Sequence, residues 1–254
     1  MNNQKLIRGA GGIYRYQKLK NSSHRLWKLL WKPNCASTEI ELSNWIAKKP
    51  VILNQPRAIF SSRQKYGHGQ FGRNWLSPKG GVWVSAAINR EGSYEKNTQL
   101  YGLALALALV DRIERKGVSV KIKWPNDLLV DGKKLAGILP RLSFRGGELR
   151  LFRVGVGLNV FNNVPKQGIS LKKISKVQKL DIDFWSSEVL IAIEKSIELL
   201  NKRNSLCNKV AEKLWAKKFL DPETYKEWDI KGIDPSGGLI ISKGNIEKIW
   251  TCYS

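Results

Sequence analysis

The chain has 254 residues, enough for one large domain or one plus a small appendage; an apolar content of 42% with ten tryptophans excludes a disordered chain. Its net charge of +23 fits polyanion binding through counterion release and equally fits a lysine-rich solvated surface, so charge alone names no function. Cys35, Cys207 and Cys252 are far apart and lack CxxC spacing, which favours a reducing compartment. His24 and His68 are too few for a His-based metal site or a Ser-His-Asp triad, and the apolar run Leu100 to Val110 is too short to span a bilayer.

Residues 1–33 hold Lys5, Arg8, Arg15, Lys18, Lys20, Arg25, Lys28 and Lys32 with no acid. They read as an irregular basic arm whose Leu26 to Trp31 docks on the body, with an organelle transit peptide as the lesser alternative. Ser37-Thr38-Glu39-Ile40-Glu41 opens a helix: Thr38 and Glu41 have capping-box spacing, and Ile40, Trp45 and Ile46 supply an apolar face. Ser37 and Thr38 read first as a cap; a helix start also presents hydroxyls and free N–H groups to a polar ligand. Ala58 to Gln64 follows as a strand and runs into GHGQFGRNWLSPKGG, Gly67 to Gly81. Those glycines fit G-x-G-x-x-G, but Trp75, Pro78, Gly80 and Gly81 forbid the helix a dinucleotide fold needs, and Arg73-Asn74 stands where a P-loop needs Lys-Ser/Thr. What remains is a long glycine-rich loop with Gln64, Lys65, His68, Gln70 and Arg73 as donors, suited to a phosphate or carboxylate.

Thr98 to Arg115 reads as a buried helix. Val118, Val120 and Ile122 then alternate with polar residues as a strand, which Trp124-Pro125-Asn126-Asp127 breaks. Leu128 to Val130 and Leu135 to Leu139 read as strands joined by a tight turn at Asp131-Gly132. Trp124, Asn126, Asp127, Lys133 and Lys134 are thereby fixed around one strand-turn-hairpin unit, and a core needs none of their polar groups. Gly146-Gly147 turns the chain into a strand from Leu149 to Val160 that ends in GVGLN. Glycines at alternate strand positions mark close approach by a ligand or another backbone, and Asn159 either reads a nucleobase or ribose or closes a turn. A Lys-rich connector (164–179), helices from Asp183 to Leu200 and Ser205 to Phe219, and short strands at Ile230–Ile233, Leu239–Ile241 and Ile249–Tyr253 complete the chain.

Four ordered motifs, GxGxxGRxWxSPxGG at Gly67–Gly81, KWPND at Lys123–Asp127, KLAGIL at Lys134–Leu139 and GVGLN at Gly155–Asn159, resemble the signatures of the biotin protein ligases, and Gly232 to Tyr253 resembles that family's small SH3-like barrel. The resemblance implies an α/β (α+β) fold of class II synthetase-like type, a mixed sheet backed by helices over 34–220, after a basic arm (1–33) and before a shortened β part (221–254) lacking a clear first strand between Leu220 and Trp228. It implies a cytoplasmic ligase with ATP and biotin as substrates and Mg²⁺ on the departing pyrophosphate. Biotin's carboxylate attacks the α-phosphate of ATP to give biotinyl-5'-AMP and pyrophosphate. A lysine of the biotin carboxyl carrier protein of acetyl-CoA carboxylase then displaces AMP. No DNA-binding domain precedes Ser37, so the monofunctional type is expected, with room for a homodimer and for non-specific polyanion binding.

Carried over, Ser37, Thr38 and Gln64 would contact biotin; His68, Gly69 and Gln70 would line the loop over it; Arg73 would bind phosphate. Lys134 would meet the biotin carboxylate and α-phosphate, and Asp127 would position both substrates and accept the proton of the incoming lysine. Lys123, Trp124, Asn126 and Asn159 would sit at the adenylate, and no protein cage for a metal is implied. The chain departs from the family at His68 and Gln70, where two arginines are usual, which leaves leakage of the intermediate open, and at Glu39, where Asn is usual. Two other functions stay open: a lipoate or octanoate transferase of the same fold, opposed by the WPND and KLAGIL pair and by the lack of a nucleophilic Cys with a base, and a basic nucleic-acid-binding protein without chemistry.

Overall fold

The structure is a computed structural model that describes residues 9–20, 27–52, 55–89, 98–145, 148–174 and 180–251. Its centre is a seven-stranded sheet of β1 (Lys28–Lys32), β2 (Arg57–Ser61), β5 (Gly81–Asn89), β9 (Glu148–Asn159), β8 (Lys133–Arg145), β7 (Asp127–Val130) and β6 (Lys121–Lys123), in that spatial order. β1 pairs parallel with β2, and every other neighbour is antiparallel. Successive side chains leave a strand on opposite faces, so β5 serves two layers. Val82, Val84, Ala86 and Ile88 enter the main core under α3 (Thr98–Glu114) and α4 (Ile182–Leu199); Ala87 joins Leu42, Val51 and Ile59 in a smaller core under α2 (Thr38–Lys48). With both faces covered, β2 is buried throughout and β5 at all but its last residue.

The Asp131-Gly132 turn between β7 and β8 takes the positive φ values of 48° and 72° that a tight hairpin requires. The glycine-rich segment is more ordered than a loop: β3 (Gln64–His68) and β4 (Asn74–Ser77) make a separate two-stranded hairpin, with Phe71 at its tip. α2 is capped by Ser37, whose Oγ accepts from the Glu39 N–H at 3.3 Å; Thr38 is the first helical residue and forms no capping box, because its side chain turns into the protein and Glu41 pairs with Lys32. Ile40 is exposed, and Leu42 takes the inner position.

The described residues before Pro33 are not irregular. Ala10–Lys20 is a helix, α1, and Lys28–Lys32 is a strand of the main sheet. Ile13 and Trp27 are buried, the Gly9 N–H donates to the Asp183 carboxylate at 3.1 Å, and Tyr16 donates to Asp181 at 2.6 Å. The partners lie on and before α4, far along the chain, where local pattern could not reveal them. α5 (Arg203–Lys213) is shorter than its apolar pattern suggests, because the Trp215 N–H leaves to donate to the Ile122 carbonyl at 2.9 Å. β10 (Lys218–Leu220) then supplies the first strand that the tail seemed to lack, paired with β11 (Glu227–Ile233); β12 (Leu239–Lys243) and β13 (Ile246–Trp250) complete a four-stranded antiparallel sheet. The expected turn at Gly146-Gly147 and residues 175–179 of the Lys-rich connector lie outside the described residues. Among those described, no helix is long and apolar enough to cross a membrane.

Because Ile13 is fully buried against the body, Ile13→Ala should cost about 2–4 kcal/mol in urea unfolding; a loss below about 0.5 kcal/mol would show that α1 is not docked.

Candidate functional site

The α2 face of the main sheet carries a pocket. Side chains of Val154, Val156 and Leu158 on β9 and of Ala136 and Ile138 on β8 belong to the main core, so the intervening positions open on the other face, and glycines occupy Gly137, Gly155 and Gly157. Gly137 and Gly157 are register partners. Their bare backbones seat Trp75: a Cβ on Gly157 would lie 2.6 Å from its ring and one on Gly137 2.8 Å. Gly67, where a Cβ would meet the Trp75 carbonyl at 2.4 Å, lets β3 close against β4. The close approach expected at GVGLN is therefore that of an indole at Gly157. Trp75 also meets Trp83 edge-on, with ring centroids 6.4 Å apart.

One end of the pocket is neutral and hydrogen-bonding. Gln64 Oε1 accepts from the Thr38 N–H at 2.7 Å and from the Thr38 hydroxyl at 3.0 Å, and the Gln64 amide donates to Ser77 Oγ at 2.8 Å. Thr38 Oγ1 also lies 2.9 Å from Ser85 Oγ. Thr38, Ser77 and Ser85 are buried, so these hydroxyls and the Gln64 amide hold one another in fixed orientation, with buried Ser37 beside them. Beside them Glu39 lines the pocket, its carboxylate held by Arg153, which also donates to Ser43 at 2.6 Å.

The other end is charged. Lys134 Nζ is 2.7 Å from Asp127 Oδ1 and 4.7 Å from the Trp75 ring centroid, a cation over an aromatic face. Both members keep some exposure, 35% and 18%, so the ammonium can still take an anion. The Lys134 backbone is fixed from three sides: its N–H donates to Gln167, and its carbonyl accepts from Ile169 at 2.9 Å and from the Asn159 amide at 3.3 Å. The hairpin tip adds His68, Gly69, Gln70, Arg73 and Asn74 to the wall, with Arg73 exposed.

Ser37, Thr38, Gln64, His68, Gly69, Gln70, Arg73, Asn126, Asp127 and Lys134 thus meet around one cavity. Lys123, Trp124 and Asn159 are not among its lining residues. Lys123 is exposed on β6. The Trp124 Nε1–H donates to the Gly237 carbonyl at 2.9 Å, tying the WPND turn to the C-terminal sheet. Asn159 is buried between Lys134 and Asn162, whose amide donates to it at 3.0 Å. Asn126 lines the pocket while its amide donates to the Ile138 carbonyl at 2.6 Å. Pattern reading missed Ser85 and Trp75: Ser85 was one polar residue in an apolar strand, a signal that was present, whereas nothing local tells that Trp75 lies on glycines some 60 to 80 positions away. Among the described residues no group of three or more His, Cys, Asp or Glu could hold a metal.

The chain is similar to known proteins both in sequence and in fold. Residues 46–159 match the family model of the Biotin/lipoate A/B protein ligase family. The chain is 37% identical to biotin–protein ligase 2 of Arabidopsis thaliana over 150 residues, 57% of this chain and 44% of that protein. It is 34% identical to the biotin–[acetyl-CoA-carboxylase] ligase of Paracoccus denitrificans over 105 residues, 40% of this chain and 43% of that protein. The chain therefore spans less than half the length of these two curated relatives. A solved structure of the biotin protein ligase from Aquifex aeolicus in complex with biotin and ATP superposes with a TM-score of 0.70 at 27% identity, covering 87% of this chain and 94% of that one. In sequence and in fold the chain is similar to biotin protein ligases, and it carries a mixed sheet backed by helices and a small C-terminal β-sheet.

Gly157→Ala should push Trp75 off its seat and cost about 1–3 kcal/mol, with a changed near-UV circular dichroism spectrum. An unaltered spectrum and denaturation midpoint would contradict that placement.

Proposed function

We propose that this chain is an ATP-dependent biotin protein ligase, activating biotin as biotinyl-5'-AMP and passing it to a lysine of a biotin carboxyl carrier protein of acetyl-CoA carboxylase. The observation that carries the reading is the polarity of this pocket: a neutral hydroxyl–amide end at Thr38, Gln64 and Ser85, and a cationic end where Lys134 stands on Asp127. Biotin has the matching asymmetry. Its ureido ring offers two N–H donors and a carbonyl, and its valeryl tail ends in a carboxylate.

The chemistry follows from that placement. The biotin carboxylate oxygen attacks the α-phosphorus of ATP, the bond to the β-phosphate oxygen breaks, and pyrophosphate leaves. Two anions must approach, so a fixed cation lowers the barrier more than a mobile one, and Lys134 is fixed by Asp127, by Trp75 and by its pinned backbone. Arg73 would hold phosphate from the hairpin, and Mg²⁺ would arrive with the nucleotide and accompany the pyrophosphate. In the second step a carrier lysine attacks the acyl carbonyl, AMP leaves, and Asp127 accepts the amine proton. Asn126 and Lys123 are assigned to the nucleotide side. Asn159 and Trp124 hold the site from behind, through Lys134 and the C-terminal sheet. We place the protein in the cytoplasm, where free thiols stay reduced.

A cysteine-dependent acyl transferase of the same fold is disfavoured by the thiols described. Burial raises the Cys35 thiol above its ordinary value, and burial does the same to Cys207, whose Sγ–H donates to the Asp234 carbonyl at 3.2 Å; a nucleophile needs the opposite shift.

With ATP, biotin and a biotin carboxyl carrier domain, the carrier should gain one biotinyl group on a single lysine, seen by mass spectrometry; a carrier left unmodified would contradict the transfer step. Lys134→Ala should slow biotinyl-5'-AMP formation by about 100-fold or more; a wild-type rate would remove Lys134 from the reacting centre. Gln70→Arg should slow escape of the adenylate from the enzyme, whereas an unchanged dissociation rate would show that the loop already retains it.

A further inference from the structure

The hairpin of β3 and β4 has two faces of opposite character. Gln64 and Trp75 line the pocket, and Gly67 and Ser77 are buried on the same hairpin. A register shift between Gln64 and Gly67 puts Lys65 and Tyr66 together on the outer face, across from Leu76. That outer face is apolar and bare: Tyr66 is 55% exposed, Leu76 66%, and Phe71 at the tip 69%. Phe71 holds a left-handed φ of 54°, which a bulky side chain adopts only at a cost, so the outward phenyl is not a relaxed default. Three large apolar side chains left exposed on one two-stranded hairpin are the kind of surface that marks a contact site.

The charges around the patch say what it would contact. Arg63, Lys65 and Lys79 are exposed, the Lys65 ammonium lies 5.1 Å from the Tyr66 ring centroid, and the segment from Arg63 to Lys79 contains no acidic residue. None of the three pairs with a carboxylate among the described residues. A second copy of this chain would bring like charges against them. An acidic protein surface would be drawn to them, and its apolar contacts would be covered by the phenol, the phenyl and the leucine.

We propose that this outer hairpin face, with Tyr66, Phe71 and Leu76 as apolar anchors and Arg63, Lys65 and Lys79 as a cationic rim, docks an acidic carrier protein for the second step. The inference rests on the ligase reading, because a protein lysine can enter the pocket only if its domain lies against the pocket's rim, and this hairpin is one wall of that rim. One structural unit then serves both substrates, gripping the small one with its inner face and the protein one with its outer face.

The test compares the wild type with Phe71→Ser/Leu76→Ser and with Arg63→Glu/Lys79→Glu, in two assays: biotinyl-5'-AMP formation without carrier, and transfer as a function of carrier and salt concentration. Both variants should form adenylate within about twofold of wild type and show a carrier KM raised about tenfold or more. The wild-type KM should rise with salt, and the charge-reversed variant should lose most of that dependence. Normal adenylate formation with an unchanged carrier KM in both variants would overturn the docking face alone. Equal loss in both assays would show a structural role and overturn it too. A self-association in sedimentation that the variants abolish, with carrier KM unchanged, would assign the face to a second copy. A wild type that forms no adenylate would overturn the ligase reading and the docking face with it.

Discussion

Everything at the site depends on one packing contact, the indole of Trp75 lying on Gly137 and Gly157. Any side chain at either glycine would occupy the space of the ring, so two strands of the main sheet give up side chains on one face to let the hairpin close over it. Closure has a cost: the Trp75 Nε1–H is buried without a hydrogen-bond partner, worth about 1–3 kcal/mol. In return the ring places an aromatic face beneath the Lys134 ammonium and brings Ser77 within reach of Gln64. Sheet, hairpin and α2 then converge on one cavity.

The charges of that cavity are fixed by groups that do not line it. Asn159 and the segment around Gln167 and Ile169 clamp the Lys134 backbone, and Arg153 restrains Glu39 at the pocket's edge. The C-terminal sheet contributes through Trp124, whose indole reaches the turn held by buried Asp234, where Oδ1 accepts from the Gly238 N–H at 2.6 Å. The residues that follow Trp124 are Asn126 and Asp127, so a small sheet at the end of the chain bears on the orientation of a carboxylate in the pocket. Groups held by a second layer in this way need little reorganisation when charge develops on the substrates.

Much of this was legible in the chain because the relevant signals are local. The Asp131-Gly132 turn, the buried helix from Thr98 and the strand ending in GVGLN follow from residue type and period, and the pocket residues sit in short motifs where core packing does not explain polar groups. What was not legible depends on distant partners. Asp183, Asp181 and Glu194 accept from the Gly9 N–H, Tyr16 and the Trp27 indole about 170 positions earlier in the chain, so Ile13 and Trp27 of an apparently unpartnered basic arm belong to the core. Glycine spacing announced a close approach at Gly157 without saying that a tryptophan makes it. Asn159 carried a side chain suited to a ligand, yet its amide is spent on Lys134 and its carbonyl on Asn162. β10 was hidden because three residues are too few for a period to show.

The central claim is that Lys134, Asp127 and the Thr38–Gln64 end of the same pocket join a biotin carboxylate to a nucleotide phosphate. It is tested most directly by exchange of labelled pyrophosphate into ATP by the wild-type protein, with no carrier present. The ligase reading predicts exchange that requires both biotin and Mg²⁺ and disappears when either is withheld. Exchange that proceeds equally without biotin, or no exchange from protein shown to bind biotin, would contradict it.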